Sequence, residues 1–148
     1  MACHRRIEQR LDTLVTAGDH LANDREPALA AIAKSIAFLD SNGAMHTEDE
    51  ESSLFPRLRP KLSVEELAYV DSLEQQHSEA EGIYAELKEL VALGSVASYR
   101  DCASRLRDLY RRHIQSEDQI LTALARRLLS EKELAAITVE MRARRSTD

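Results

Sequence analysis

Glycine, proline and aromatic residues are scarce in this chain of 148 residues. There are four glycines, three prolines, no tryptophan, and only 4% aromatics. Strands and tight turns draw on those residues, so an all-β or α/β domain is excluded as a first reading. Ala, Leu, Glu, Lys and Arg instead make up roughly half of the chain, the composition of long helices. Two cysteines, Cys3 and Cys102, supply neither a CxxC motif nor a disulfide framework, and predict a reducing, cytoplasmic setting. No apolar run approaches the roughly 18 residues of a membrane span. The opening residues, MACHRRIEQRL, lack the apolar centre of a secretory leader. A net charge of −6 argues against a nucleic-acid partner. At this length a single domain over 1–148 is expected, burying roughly 70% of the surface its unfolded chain exposes.

Punctuation divides the chain into four long helical segments and a short fifth. The first runs from about residue 2 to Gly18–Asp19. Pro27, suited to a first turn, opens the second, which runs to Phe55–Pro56. Ser41-Asn42-Gly43 is a weak point inside it, but the apolar phase does not slip there. Ser63-Val-Glu-Glu66 is a capping box opening the third segment, which ends before Gly94. Ser98-Tyr-Arg-Asp opens the fourth, reaching about Leu129. Ser130-Glu-Lys-Glu133 is a second capping box, starting a helix over about 131–145. Short connections make neighbours antiparallel, so the expected fold is all-α: an up-down-up-down four-helix bundle over about 2–129 with a short C-terminal fifth helix.

Apolar residues at 3–4 spacing define one inward stripe per helix. These are His4, Ile7, Leu11, Leu14; then Ile32, Ile36, Leu39, Gly43, His46, Glu50, Leu54; then Val70, Leu73, His77, Glu81, Tyr84, Leu87, Val91. The fourth is Cys102, Leu106, Leu109, His113, Glu117, Ile120, Leu124, Leu128. Four of the five histidines therefore face inward, and three carry a Glu four residues later. At ~1.5 Å per residue, His4 and His46 fall about 24 and 28 Å below the first turn. His46 and His77 stand roughly 15 and 20 Å above the second turn, and His77 and His113 each about 22 Å below the third. All four imidazoles share one level of the bundle.

A lone core-facing histidine is more often a hydrogen-bonded structural residue than a ligand. Four at one level with three carboxylates are another matter. Buried carboxylates are costly unless paired or coordinated, and these have too few donors to satisfy one another. Imidazole nitrogen and carboxylate oxygen both suit iron, manganese or zinc, so a metal resolves the conflict. The metal ligands expected are His4, His46, Glu50, His77, Glu81, His113 and Glu117. Glu117 and Asp118 are adjacent, and only one of them points inward. His20 is read as a helix-end residue and Cys102 as core packing. Glu48 and Asp49, and the basic Arg142-Ala-Arg-Arg145, are read as solvated.

The combination of His4-Arg-Arg-Ile-Glu, His46-Thr-Glu-Asp-Glu50-Glu51-Ser-Ser-Leu-Phe-Pro56, Glu-Gln-Gln-His77-Ser-Glu-Ala-Glu81 and His113-Ile-Gln-Ser-Glu117-Asp118 resembles the hemerythrin-like family, the HHE cation-binding domain. The resemblance covers roughly residues 3–129. It implies a bundle around a non-haem di-iron centre, oxo- or hydroxo-bridged, with Glu50 and Glu117 as bridging carboxylates. It also implies a small partner: dioxygen, another diatomic such as nitric oxide, or peroxide. Sensing, redox handling and iron storage all occur among such proteins, and a metal-free helical module is the remaining alternative. Oxygen carriers of the family have a second histidine where this chain has Glu81, and many bacterial relatives a second adjacent histidine where it has Thr47. A Glu81 ligand would favour ferric iron, and predicts that the chain is not a reversible oxygen carrier.

Overall fold

The structure, a computed structural model, describes residues 2–146. The described chain is 92% helical and has no strand. Five helical rods carry it: α1 (Ala2–His20), α2 (residues 25–58), α3 (Val64–Leu93), α4 (residues 96–128) and α5 (Glu131–Arg145). α1 packs on α2 and α4, and α3 packs on α4, as an antiparallel bundle requires. No helix among the described residues is long and apolar enough to cross a membrane.

Both expected capping boxes form. The Glu66 amide donates to Ser63 Oγ at 3.2 Å and the Ser63 amide to the Glu66 carboxylate at 2.9 Å. Ser130 and Glu133 make the same reciprocal pair at 3.1 Å each. Gly94 ends α3 at φ 73°, a left-handed conformation that glycine adopts without cost. Two helix starts lie earlier than expected. α2 begins at Arg25, which still leaves Pro27 in the first turn, and α4 begins at Val96 after Ser95.

α2 is continuous across Ser41-Asn42-Gly43, but it passes through a π-helical turn there, Leu39–Gly43. A second π stretch covers Asp49–Leu54, and helix continues beyond Pro56 to Leu58. A proline inside a helix clashes with the carbonyl four residues back and gives no amide to it. The wider π turn just before Pro56 relieves that conflict, and the Arg57 side chain bonds the neighbouring Ser53 carbonyl at 2.9 Å. α4 has its own π turn, Glu117–Leu121. Tyr69 and Thr122 hydroxyls bond the carbonyls at its start, Ser116 at 3.1 Å and Glu117 at 3.3 Å.

These π turns correct the expected stripes. With i→i+5 bonding the core-facing position arrives one residue later. Ile120, expected inside, is 46% exposed, and Leu121 is buried at 4% in its place. Likewise Leu54 is only half-buried, while Phe55 is fully enclosed.

Two apolar clusters fill the bundle. One joins Ile7, Leu11, Leu14, Ile32, Leu39, Leu87, Tyr99, Leu106 and Leu109, with Cys102 packed inside it as expected. The other joins Phe55, Leu58, Val70, Leu73, Leu121, Leu129 and Ile137. Along α2, α3 and α4 the histidines and glutamates lie between them, walled by apolar side chains above and below.

Candidate metal centre

His4 from α1, His46 and Glu50 from α2, His77 from α3, and His113 and Glu117 from α4 converge in that gap. His4 Nε2 lies 3.0 Å from His46 Nε2, and His77 Nε2 lies 3.2 Å from His113 Nε2. Glu117 stands between the two pairs. One of its oxygens is 3.1 Å from His4 Nε2 and 3.9 Å from His46 Nε2, and the other is in close contact with His113 Nε2. One Glu50 oxygen is 3.4 Å from both His46 Nε2 and His77 Nε2. Two groups able to hold a metal ion result: Glu50, His77, His113 and Glu117, and His4, His46 and Glu117.

The outward nitrogens decide the proton positions. Nδ1 of His4 meets Asp118 at 2.8 Å, Nδ1 of His77 meets Glu51 at 2.9 Å, and Nδ1 of His113 meets the Gln76 carbonyl oxygen at 2.7 Å. Carboxylate and amide oxygens only accept, so these three Nδ1 atoms carry the hydrogen. In the neutral ring Nε2 is then a bare lone pair pointing inward. Lone pairs converging on one another at such distances repel unless a cation lies among them. Both Glu50 carboxylate oxygens are also buried with no hydrogen-bond partner. Acceptors facing acceptors, without donors, form a site suited to a metal ion, and the fixed Nδ1 partners are those that orient metal-bound imidazoles.

Electrostatics express the same conflict. Burial pushes His46 down to about 4, helped by the charges of His4 and His77 and opposed by Glu117. Burial, then the charge of Glu117, raise Glu50 well above the usual carboxylate range. Burial works against Glu117 too, but His113 and His4 beside it favour its charged form, and it lies well below that range. Tyr110, edge-on to His113 at 6.4 Å between ring centres, is pushed up to about 12 by burial and then by Glu50, Glu81 and Glu117.

Glu81 departs from its expected inward position. It is exposed and stands in neither group. Four residues on a regular helix advance about 40° past a full turn, and three fall about 60° short. The buried face of α3 lies on the short side of His77, at Ala80, Ile83 and Leu87, which leaves Glu81 facing solvent. The buried face of α4 lies on the other side of His113, with Ile114, and there Glu117 is 3% exposed. Of the adjacent acids on α4, Glu117 points inward, and Asp118 turns outward to hold His4. His20 ends α1, exposed as expected.

Asp49 and the C-terminal arginines correct another expectation. Asp49 is buried at 4%, not solvated, because α5 packs on the π stretch of α2 and pairs it with Arg144 at 2.9 Å and Arg145 at 2.7 Å. Glu48 is exposed as expected. Gln76, Glu51 and Asp49 escaped sequence reasoning because their partners lie on other helices, and no spacing within one helix signals them.

An antiparallel helical bundle with buried histidines and glutamates directed at shared points defines a class: helical proteins built to hold a cation in the core. The chain belongs to the hemerythrin HHE cation-binding domain family, whose sequence pattern it matches over residues 1–125. No curated protein matches the chain.

Proposed function

We propose that the protein is a non-haem iron protein holding two iron ions. His4 and His46 would serve one ion, His77 and His113 the other, with Glu117 shared between them and Glu50 beside both. The observation that carries this reading is the position of Glu117, with one carboxylate oxygen toward each histidine pair. A carboxylate so placed joins two cations at less electrostatic cost than a single cation imposes on two buried anions. Bound iron would supply redox chemistry toward a small molecule, and dioxygen, nitric oxide and peroxide are the partners in view. The chain's own part is to fix the Nε2 lone pairs inward and to keep water out with Phe55, stacked on His77 at 6.2 Å, and Tyr110.

Because Glu81 faces solvent, the expected bar to reversible oxygen binding loses its structural basis, and oxygen behaviour becomes a matter for experiment. Protein purified without added metal is assayed for iron per chain, and its spectrum for the bands of an oxo-bridged ferric pair. Two irons per chain with those bands support the reading; one iron, or zinc, overturns it. Anaerobic reduction followed by oxygen then distinguishes rapid oxidation from a long-lived adduct. Peroxide consumption separates reactive handling from storage.

A further inference from the structure

Neither Glu50 carboxylate oxygen has a hydrogen-bond partner, and its nearest nitrogens, His46 Nε2 and His77 Nε2 at 3.4 Å, belong to the metal-binding set itself. Its position is inherited from the backbone of the π stretch Asp49–Leu54, a geometry that needs outside support to persist. Beyond Arg57 on the Ser53 carbonyl and Glu51 on His77, that support comes from the last turns of α5. Arg144 donates to Asp49 at 2.9 Å, and Arg145 grips both Asp49 oxygens, at 3.2 and 2.7 Å. On the same stretch Arg144 also bonds Ser53 Oγ, which donates to Glu140 at 2.7 Å. Arg57 closes the network on Glu140 at 3.0 and 2.6 Å. Asp49, next to Glu50, and Ser53, three residues beyond it, are thus both clamped from α5. On the same side of the site, the Cys3 sulfur lies 3.6 Å from His46 Nδ1. All of α5 lies beyond residue 125, outside the family match.

We propose that Arg144 and Arg145 are positioning residues for Glu50, and that the C-terminal helix is a latch whose docking sets how firmly the centre retains its metal. The inference rests on the metal-binding reading above. Thermodynamic linkage makes it reciprocal: if the docked latch strengthens metal binding, bound metal strengthens docking.

The test loads full-length protein with iron and follows its release to a chelator. Arg145→Ala and the Arg144→Ala/Arg145→Ala double variant should release iron roughly tenfold faster, in the range seen when residues supporting ligands are lost. Lys61→Ala is the control. Lys61 ties the other end of α5 through Glu133, and the end of α4 through the Leu128 carbonyl at 3.2 Å, and its loss should leave the rate unchanged. Arg145→Lys, which keeps the charge but not the two-pronged grip, should be intermediate. Should the double variant not fold, Arg145→Lys and Asp49→Asn carry the comparison, read also in the spectrum of the loaded centre. Iron loading should also slow hydrogen exchange in α5 of the wild type. Equal release rates and spectra in wild type and arginine variants overturn the latch and leave the metal reading standing. Lys61→Ala releasing iron as fast as Arg145→Ala reduces the effect to general loosening, and also overturns it. Wild-type protein that takes up no iron overturns both.

Discussion

His4 and His46, forty-two residues apart in sequence, face each other Nε2 to Nε2 at 3.0 Å. Neither ring has a carbonyl or hydroxyl to answer that inward nitrogen. Each is turned to the other by a neighbour on its outer side, Asp118 for His4 and the Cys3 sulfur for His46. The pair is arranged for a third body.

Removing a ligand should therefore cost metal before it costs fold. His46→Ala and His113→Ala should each lower bound metal by at least one equivalent with helicity largely kept, since alanine favours helix at either position. His20→Ala, at the exposed end of α1, should bind as much metal as wild type. Elemental analysis of purified variants checks all three. Full metal content in both core variants would refute the assignment.

The two glutamates on either side of the expected list should behave in opposite ways. Glu81→Gln should leave metal content unaltered because Glu81 faces solvent. Glu50→Gln removes an anion from the buried set and should weaken binding severalfold or more. Competition with a chelator, run side by side, ranks the two; loss of metal in the Glu81 variant alone would reverse the site's composition.

Stripping the metal should lower the melting temperature. Binding to the folded state alone stabilises by about 2.7 kcal/mol at a hundredfold excess over Kd, which for a domain of this size is roughly 5–10 °C. The gain should shrink as pH falls, because protons compete with metal for the imidazoles. Burial works against protonation of His4, but Glu117 and Asp118 raise its affinity for the proton above the ordinary value, so competition there begins at higher pH than for a free imidazole. Melting curves with and without verified metal removal, from pH 8 to 5, measure both effects.

The α5 clamp has its own pH signature. Hydrogen bonds from Arg57 and Ser53 bring Glu140 down to about 2 from 4.5. A depressed carboxylate stabilises the fold fully above its unfolded value and loses that contribution as pH falls toward its folded one. Glu140→Gln should therefore melt below wild type at neutral pH, and the gap should close between about 4.5 and 2. A gap that stays constant through acid would mean that the charge on Glu140 contributes nothing.

The sequence alone determined the bundle, the number of helices, their capped ends, and the level at which four histidines meet. Those features depend on local propensity and on a 3.6-residue period, both of which are written along a single helix. The tertiary structure decided which glutamate beside each histidine turns inward. On a helix the third and fourth residues onward fall on opposite edges of the same stripe, and only the neighbouring helices select the edge that is buried. That choice left Glu81 in solvent and brought Glu117 between the histidine pairs. The π turns were equally out of reach, since nothing in apolar spacing marks where a turn widens, and with them went the exchange of Ile120 for Leu121. The grip of Arg144 and Arg145 on Asp49 joins residues almost a hundred positions apart, and a charge reads as solvated until the chain returns to cover it.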